Sequence, residues 1–350
     1  MPNKIQDIIN VAKSTGTIAK LPPGETVVTE TIDLSDVSGM VIRGTGTHWA
    51  APCQVGTVLY WDGPAGQDMF RLENSRELVF RDFQVNVRTP LDSVFHSISD
   101  HTTSPTPPVS NLWDNVFVDG RGNLDVGYRF SWVNADQNNS EMTYRNCYVR
   151  QCKTCWLLKG FQAKTHNFFS CQGITAEHCI KADGAGFQWF GGIAQHCTVS
   201  AFENSGAFDP VGIYGAQLEG CARLYQDAGF GGQNPQQVTI ENIRFSLNNL
   251  NPDGAVVVYG FSGPLKVSGL YALSPPTGVE PHIRMFVPGA TGLASAIIEG
   301  NTIDTAHPTG LELHHHVHPC YDIRYQGNIR RRSASPVSTR LPTFGTLVHR

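Results

Sequence analysis

The stretch Tyr144-Arg145-Asn146-Cys147-Tyr148-Val149 is one copy of a phrase that recurs along the chain. An apolar residue is followed by spacers ending in a small or polar residue, then by an inward-type residue and an alternating strand. The phrase stands also at Val37-Ser38-Gly39-Met40-Val41-Ile42, Phe80-Arg81-Asp82-Phe83-Gln84-Val85, Trp113-Asp114-Asn115-Val116-Phe117-Val118 and Ile240-Glu241-Asn242-Ile243-Arg244-Phe245. Shorter copies are Phe168-Phe169-Ser170-Cys171, Leu218-Glu219-Gly220-Cys221 and Val267-Ser268-Gly269-Leu270. The residue that ends each turn serves as an anchor: Met40, Phe83, Val116, Cys147, Cys171, Cys197, Cys221, Ile243, Leu270 and Asn301. They are spaced 22 to 43 residues apart, the widest gap holding two turns of the repeat. A degenerate period of this size, built on short strands, marks a solenoid whose units cannot bury their cores alone. The expected fold is all-β, a right-handed single-stranded parallel β-helix of about ten to twelve coils.

Composition agrees with many short strands joined by turns. Charged residues are 16% of the chain, below the roughly 25% of an average globular protein, and 35 Gly and 21 Pro punctuate it throughout. The net charge of −4 gives no electrostatic case for nucleic acid or an anionic membrane as partner. No stretch approaches the roughly 18 apolar residues that a membrane span needs. Met1 to Lys20 holds no apolar run suited to a secretory signal, so synthesis in the cytoplasm without a signal peptide is expected. The nine cysteines show no framework spacing; Cys147, Cys171, Cys197 and Cys221 fall at anchors, where buried free thiols are expected to stack. Cys152-Lys153-Thr154-Cys155 reads as a core and loop pair, since no second Cys-x-x-Cys accompanies it.

Ile5, Ile8, Ile9 and Ala12 at helical spacing predict a short amphipathic helix over residues 3–13. An open solenoid end needs a polar-faced cap, and this helix supplies it. The β-helix with its cap is expected over residues 1–305, with a terminal coil and a basic tail over 306–350. Long turn insertions, notably residues 87–111, project from the coils as loops that can line a binding surface.

The opening, with its short helix, Leu21-Pro22-Pro23-Gly24 and Val41-Ile42-Arg43-Gly44-Thr45-Gly46, resembles the start of proteins of the pectin-lyase-like superfamily. Val79-Phe80-Arg81-Asp82-Phe83 and Val238-Thr239-Ile240-Glu241-Asn242-Ile243 resemble its scaffold phrases, and the resemblance runs over roughly residues 5–305. That group holds polysaccharide lyases, polygalacturonase-type hydrolases, fructan-processing β-helices and phage tailspikes. The chain carries no Arg-Ile-Lys, no Gly-His-Gly and no adjacent pair of Asp residues, so no catalytic residue carries over. The resemblance implies a phage tailspike-like protein that engages a polysaccharide or surface glycan, with glycoside hydrolase or polysaccharide lyase activity left open. Two alternatives stand beside it: a non-catalytic virion structural or receptor-binding protein, and a bacterial β-helix carbohydrate-active enzyme. It also implies a place in the virion, or outside the cell after lysis, and a homotrimer that covers the last coil.

Equal offsets from successive anchors predict stacked side chains about 4.8 Å apart. Six residues beyond Cys171, Cys197 and Cys221 stand Glu177, Glu203 and Asp227; twelve beyond the first two stand Asp183 and Asp209. Such an acidic ladder suits paired-carboxylate glycoside chemistry, or else it is a solvated turn row or a cation site. Trp156, Trp189, Phe187 and Tyr214 are the expected sugar-stacking residues, with Phe190 and Phe208 nearby. His314, His316 and His318 alternate and would share one strand face. On a threefold axis they could hold a divalent transition metal, or remain a plain exposed strand; no other cofactor is expected.

Overall fold

The structure, a computed structural model, describes residues 4–47, 56–100, 108–133, 139–160, 164–205, 210–227, 237–247, 255–261, 264–273, 283–288, 295–304, 311–312, 323–327 and 329–331. Short parallel strands stacked coil on coil make a parallel β-helix, as the repeat requires. Two compact units divide the chain, Met1–Ala176 and Glu177–Arg350, the division falling inside the strand Gln172–Asp183.

The helix is Lys4–Thr15, close to the expected span, with Ile5, Ile9 and Ala12 buried. It packs on the first strands of its unit, and the Gln6 side chain bonds both backbone groups of Asp33. Asp7 in its first turn and Lys13 in its last complement the helix dipole.

The 21-residue strand Leu112–Trp132 shows how one coil is built. Residues 112–114 pair with 79–81 and 143–145, residues 116–119 with 83–86, and residues 124–132 with 91–99. The chain therefore runs along three faces in one pass. It changes direction at Asn115 (φ 56) and at Arg121 (φ 51), both left-handed. The first of these corners repeats at every anchor: Gly39, Asp82, Asn115, Asn146, Ser170, His196, Gly220, Asn242, Gly269 and Gly300 all have positive φ. Each precedes a buried anchor side chain. Gly and Asn populate that conformation at low cost, which is why the phrase recurs in sequence. At Gly269 space adds a second constraint, since a β-carbon would lie 2.5 Å from Asn242 Oδ1.

In the Met1–Ala176 unit the core is aromatic. Phe80, Trp113, Tyr144 and Phe168 stack face to face, with centroids 5.6, 5.1 and 4.4 Å apart. A second column, Phe70, Phe95, Tyr128 and Trp156, stacks at 5.0, 4.9 and 5.7 Å. Edge-to-face contacts lock the columns together, as between Trp113 and Tyr128 at 5.6 Å and 84°. Both geometries suit the ring quadrupole. The expected thiols follow the same inward rule: Cys147 and Cys171 in this unit, and Cys197 and Cys221 in the other, are free and buried. Cys152 and Cys155 are also free and buried, with sulfurs 3.7 Å apart, so both belong to the interior rather than one to a loop.

In the Glu177–Arg350 unit the strands Phe187–Phe190, Val211–Tyr214, Val238–Glu241, Pro264–Ser268, Ser295–Glu299 and Ile323–Gln326 pair in parallel without a register shift. Trp189, Ile213, Ile240, Val267 and Ile298 form their buried row. Alternation then sends the residue after each of these to the outer face.

Candidate functional site

That outer row reads Phe190, Tyr214, Glu241, Ser268, Glu299, Gln326, each paired with the next. Phe190 is 37% exposed, and its ring stacks on Tyr214 with centroids 5.3 Å apart and planes 12° from parallel. Gly212 provides the seat for Tyr214: a β-carbon there would collide with the Tyr214 ring and with the Gln188 amide. Beyond the rings, Lys266 Nζ donates to Glu241 Oε1 at 2.6 Å. That bond raises the Lys266 pKa, and the charge of Glu299 adds to the effect. An open aromatic step thus continues into a carboxylate–ammonium pair and a second carboxylate. Flat apolar faces beside charged hydrogen-bonding groups match the two sides of a sugar ring, its C–H face and its hydroxyl rim.

Of the five acids of the expected ladder, the four described do not form one row. Glu203 is 4% exposed and closed in by Lys181 Nζ at 3.2 Å and His178 Nδ1 at 3.4 Å. His178 Nδ1 also lies 2.9 Å from Ser200 Oγ. Burial holds His178 below the ordinary imidazole range; Glu203 opposes that shift and Lys181 adds to it. Asp227 is buried, but its strand partner is Asn204, while Glu203 faces Gln226. A slip of one residue sends side chains to opposite faces, so Glu203 and Asp227 point to opposite sides of the strand pair. Gln195 pairs with Glu219 but Phe202 with Tyr225, so one residue of register is lost between the two pairings, which breaks the constant offset the ladder assumed. Glu177 and Asp183 are exposed, Asp183 Oδ1 lying 3.3 Å from Ser205 Oγ. Asp209 and Phe208 lie outside the described residues.

Of the expected sugar-stacking residues, Trp156, Trp189 and Phe187 are fully buried. Trp156 stacks on Tyr128, and Trp189 meets Phe202 edge-on at 5.4 Å. Those three are core residues, not groove residues, because alternation turns them inward. Tyr214 keeps its outer position. Phe190 gains one, and the signal for it was available: it sits one residue beyond the inward Trp189. His314, His316 and His318 lie outside the described residues. Among the described residues no cluster of three or more His, Cys, Asp or Glu side chains could hold a metal ion, and no helix is long and apolar enough to cross a membrane.

No protein-family model matches the sequence, and no curated protein does. Among solved structures the chain is similar to the Dettilon tailspike protein (gp208), with a TM-score of 0.52 and 12% identity over 92% of this chain. It is similar also to the tailspike protein of Acinetobacter phage vB_ApiP_P1, with a TM-score of 0.47 and 11% identity over all of it. It spans 64% of the first and 62% of the second. The likeness to the first is one of fold, the parallel β-helix.

Proposed function

We propose that this chain is a tailspike-like, glycan-engaging β-helix of a virion, and that it assembles as a homotrimer. The observation that carries the reading is the exposed Phe190–Tyr214 stack at the head of the Glu241–Lys266–Glu299 row. Rings held parallel on adjacent coils offer a preformed platform to a polymer laid along the coils, and preformed sites bind with less ordering cost. Binding is better supported than cleavage, because Glu203 is already spent on Lys181 and His178. For the depolymerase reading the exposed Asp183 is the acid to test.

The test is a panel of immobilised bacterial capsular and O-antigen polysaccharides. The wild type is expected to bind at least one, and Phe190→Ala and Tyr214→Ala each to weaken that binding by about tenfold or more, the usual loss at an aromatic hot spot. Unchanged affinity in both folded variants, or a wild type that binds no member, would count against the proposal. On a bound glycan, Asp183→Asn is expected to lower the release of reducing ends or of enone absorbance by about 10²–10⁴-fold if that residue handles the proton. Light scattering at micromolar concentration checks the trimer.

A further inference from the structure

The Met1–Ala176 unit carries a cluster that the reading above does not use. Asp68–Glu73, Leu91–Ser99 and Leu112–Trp132 run side by side, pairing Asp68 with Ser93, His96 with Arg129 and Ile98 with Ser131. His96 bridges three strands: its Nδ1 lies 2.6 Å from Asp68 Oδ2 and its Nε2 2.7 Å from Ser131 Oγ. The Ser93 hydroxyl donates to the other Asp68 oxygen. Asn139 Nδ2 donates to the Ser131 carbonyl at 2.8 Å and fixes the backbone there.

A polar row on stacked strands is ordinarily no more than a satisfied surface. What sets this one apart is direction. Burial works against ionisation of Asp68, but the bonds and charge of His96, with Ser93 and Arg129, outweigh it and hold the carboxyl below its ordinary range. An ionised carboxylate only accepts, so Nδ1 of a neutral imidazole must carry the hydrogen. Its Nε2 is then the lone-pair end and accepts from the Ser131 hydroxyl. Carboxylate, imidazole and hydroxyl are thereby lined up in the order and tautomer that activate a serine. The His96 and Asp68 side chains are 14% and 20% exposed, and Ser131 is half-buried, so the hydroxyl is reachable. Arg129 stands two residues before Ser131. Its guanidinium is held by Asp92, donating to the carbonyl at 3.2 Å and lying 3.9 Å from Oδ2.

We propose that Ser131, His96 and Asp68 form a hydrolase site for carboxylic esters, acting on small O-acyl groups such as acetyl carried by a glycan. The choice of a glycan ester rests on the function proposed above; the nucleophilic site does not. Ser131 Oγ attacks the ester carbonyl carbon as its proton passes to His96 Nε2. The bond to the sugar oxygen breaks, and that oxygen takes the proton from His96. Water then attacks the acyl-serine, giving its proton to His96; the carboxylic acid leaves and Oγ regains the proton. Asp68 is a positioning residue that holds the tautomer and offsets the imidazolium charge. A half-buried hydroxyl on a strand face suits a small acyl group projecting from a polymer, not a long chain needing a tunnel.

The experiment treats the full chain with a fluorophosphonate probe at about pH 8 and maps the adduct by peptide mass spectrometry. Labelling at Ser131 is expected, absent in Ser131→Ala. Asp68→Asn should slow it by about 10³–10⁴-fold and change its pH profile, since asparagine does not enforce the tautomer. Ser131→Cys, a small change that keeps a nucleophile, should react instead with iodoacetamide at that position. Folded wild type left unlabelled at Ser131, under conditions that label a known serine hydrolase, overturns the proposal. Labelling without acetate release from O-acetylated polysaccharides overturns the substrate class. Loss of glycan binding in Phe190→Ala with Ser131 labelling intact concerns only the earlier reading.

Discussion

Replacing Trp113 with alanine is expected to lower the stability of the Met1–Ala176 unit by about 3–5 kcal/mol, the usual cost of truncating a large buried aromatic side chain. The indole is fully buried between Phe80 and Tyr144 and meets Phe95, Tyr128 and Phe130 edge-on. Alanine would remove five ring contacts at once, each such pair contributing about 0.5–1.5 kcal/mol beyond its area. Backbone hydrogen bonds between coils would hold the gap open, because strands paired at fixed spacing cannot collapse onto it. Trp113→Phe should cost much less: it keeps a ring in the column and removes an indole N–H that is buried without a partner among the described residues. In a solenoid each coil is stabilised by its neighbours. Loss of amide protection should therefore centre on Val79–Val87, Leu112–Trp132 and Thr143–Arg145, the paired strands around the gap. Urea unfolding and hydrogen exchange measure both effects. A loss below about 1 kcal/mol would mean that the aromatic columns do not carry this core.

The corner that makes those columns is the part of the fold most plainly written in the sequence. A left-handed residue followed by an inward one demands Gly, Asn or Asp and then an apolar or thiol side chain. Asp82–Phe83, Asn115–Val116, Asn146–Cys147 and Gly269–Leu270 state that demand openly. Ser170 and His196 meet it with less favoured residues, and the anchors Cys171 and Cys197 mark those positions instead.

The candidate sites were less legible, and the reasons differ. The acid ladder assumes that counting from an anchor preserves register, yet a residue of register is lost between Gln195–Glu219 and Phe202–Tyr225, which sets Asp227 beside Asn204. Counting in from a strand's own alternation is safer, as Phe190 and Tyr214 show: each directly follows a buried residue, Trp189 and Ile213. Trp156, Trp189 and Phe187 turn inward because the interior of these coils is itself aromatic, so an aromatic residue there does not by itself mark a sugar platform. Asp68, Ser93, His96 and Ser131 belong to three strands, with gaps of 25, 3 and 35 residues along the chain. No sequence motif joins them; only the pairing of the coils does.

Acid should weaken the same unit through His166. This imidazole is fully buried, with Phe130 edge-on at 5.0 Å and Tyr144 nearly parallel at 6.4 Å. Nε2 lies 2.9 Å from the Asn139 carbonyl, which only accepts, so Nε2 carries the hydrogen. Nδ1 has no partner among the described residues. Protonating it would bury a charge with nothing to receive its N–H. Burial accordingly lowers the pKa from 6.5 to about 4, the Asn139 carbonyl opposing that shift. The unfolded chain takes up this proton near pH 6.5 and the folded chain only near pH 4. Between those values the unfolded state binds more protons, so stability falls as pH falls. The contribution is complete above pH 6.5, is lost by pH 4, and amounts to about 3 kcal/mol. His178, also lowered by burial, slopes the same way in the other unit, while Asp68, lowered by its partners, acts below the ordinary carboxylate range. His166→Gln separates these contributions, because its amide can donate to the Asn139 carbonyl and does not titrate. Unfolding free energies from pH 7 down to 4.5 should decline clearly less steeply in the variant than in the wild type. Equal slopes, or an NMR titration placing folded His166 near 6.5, would show that this ring is hydrated and that the core opens where the aromatic columns should close it.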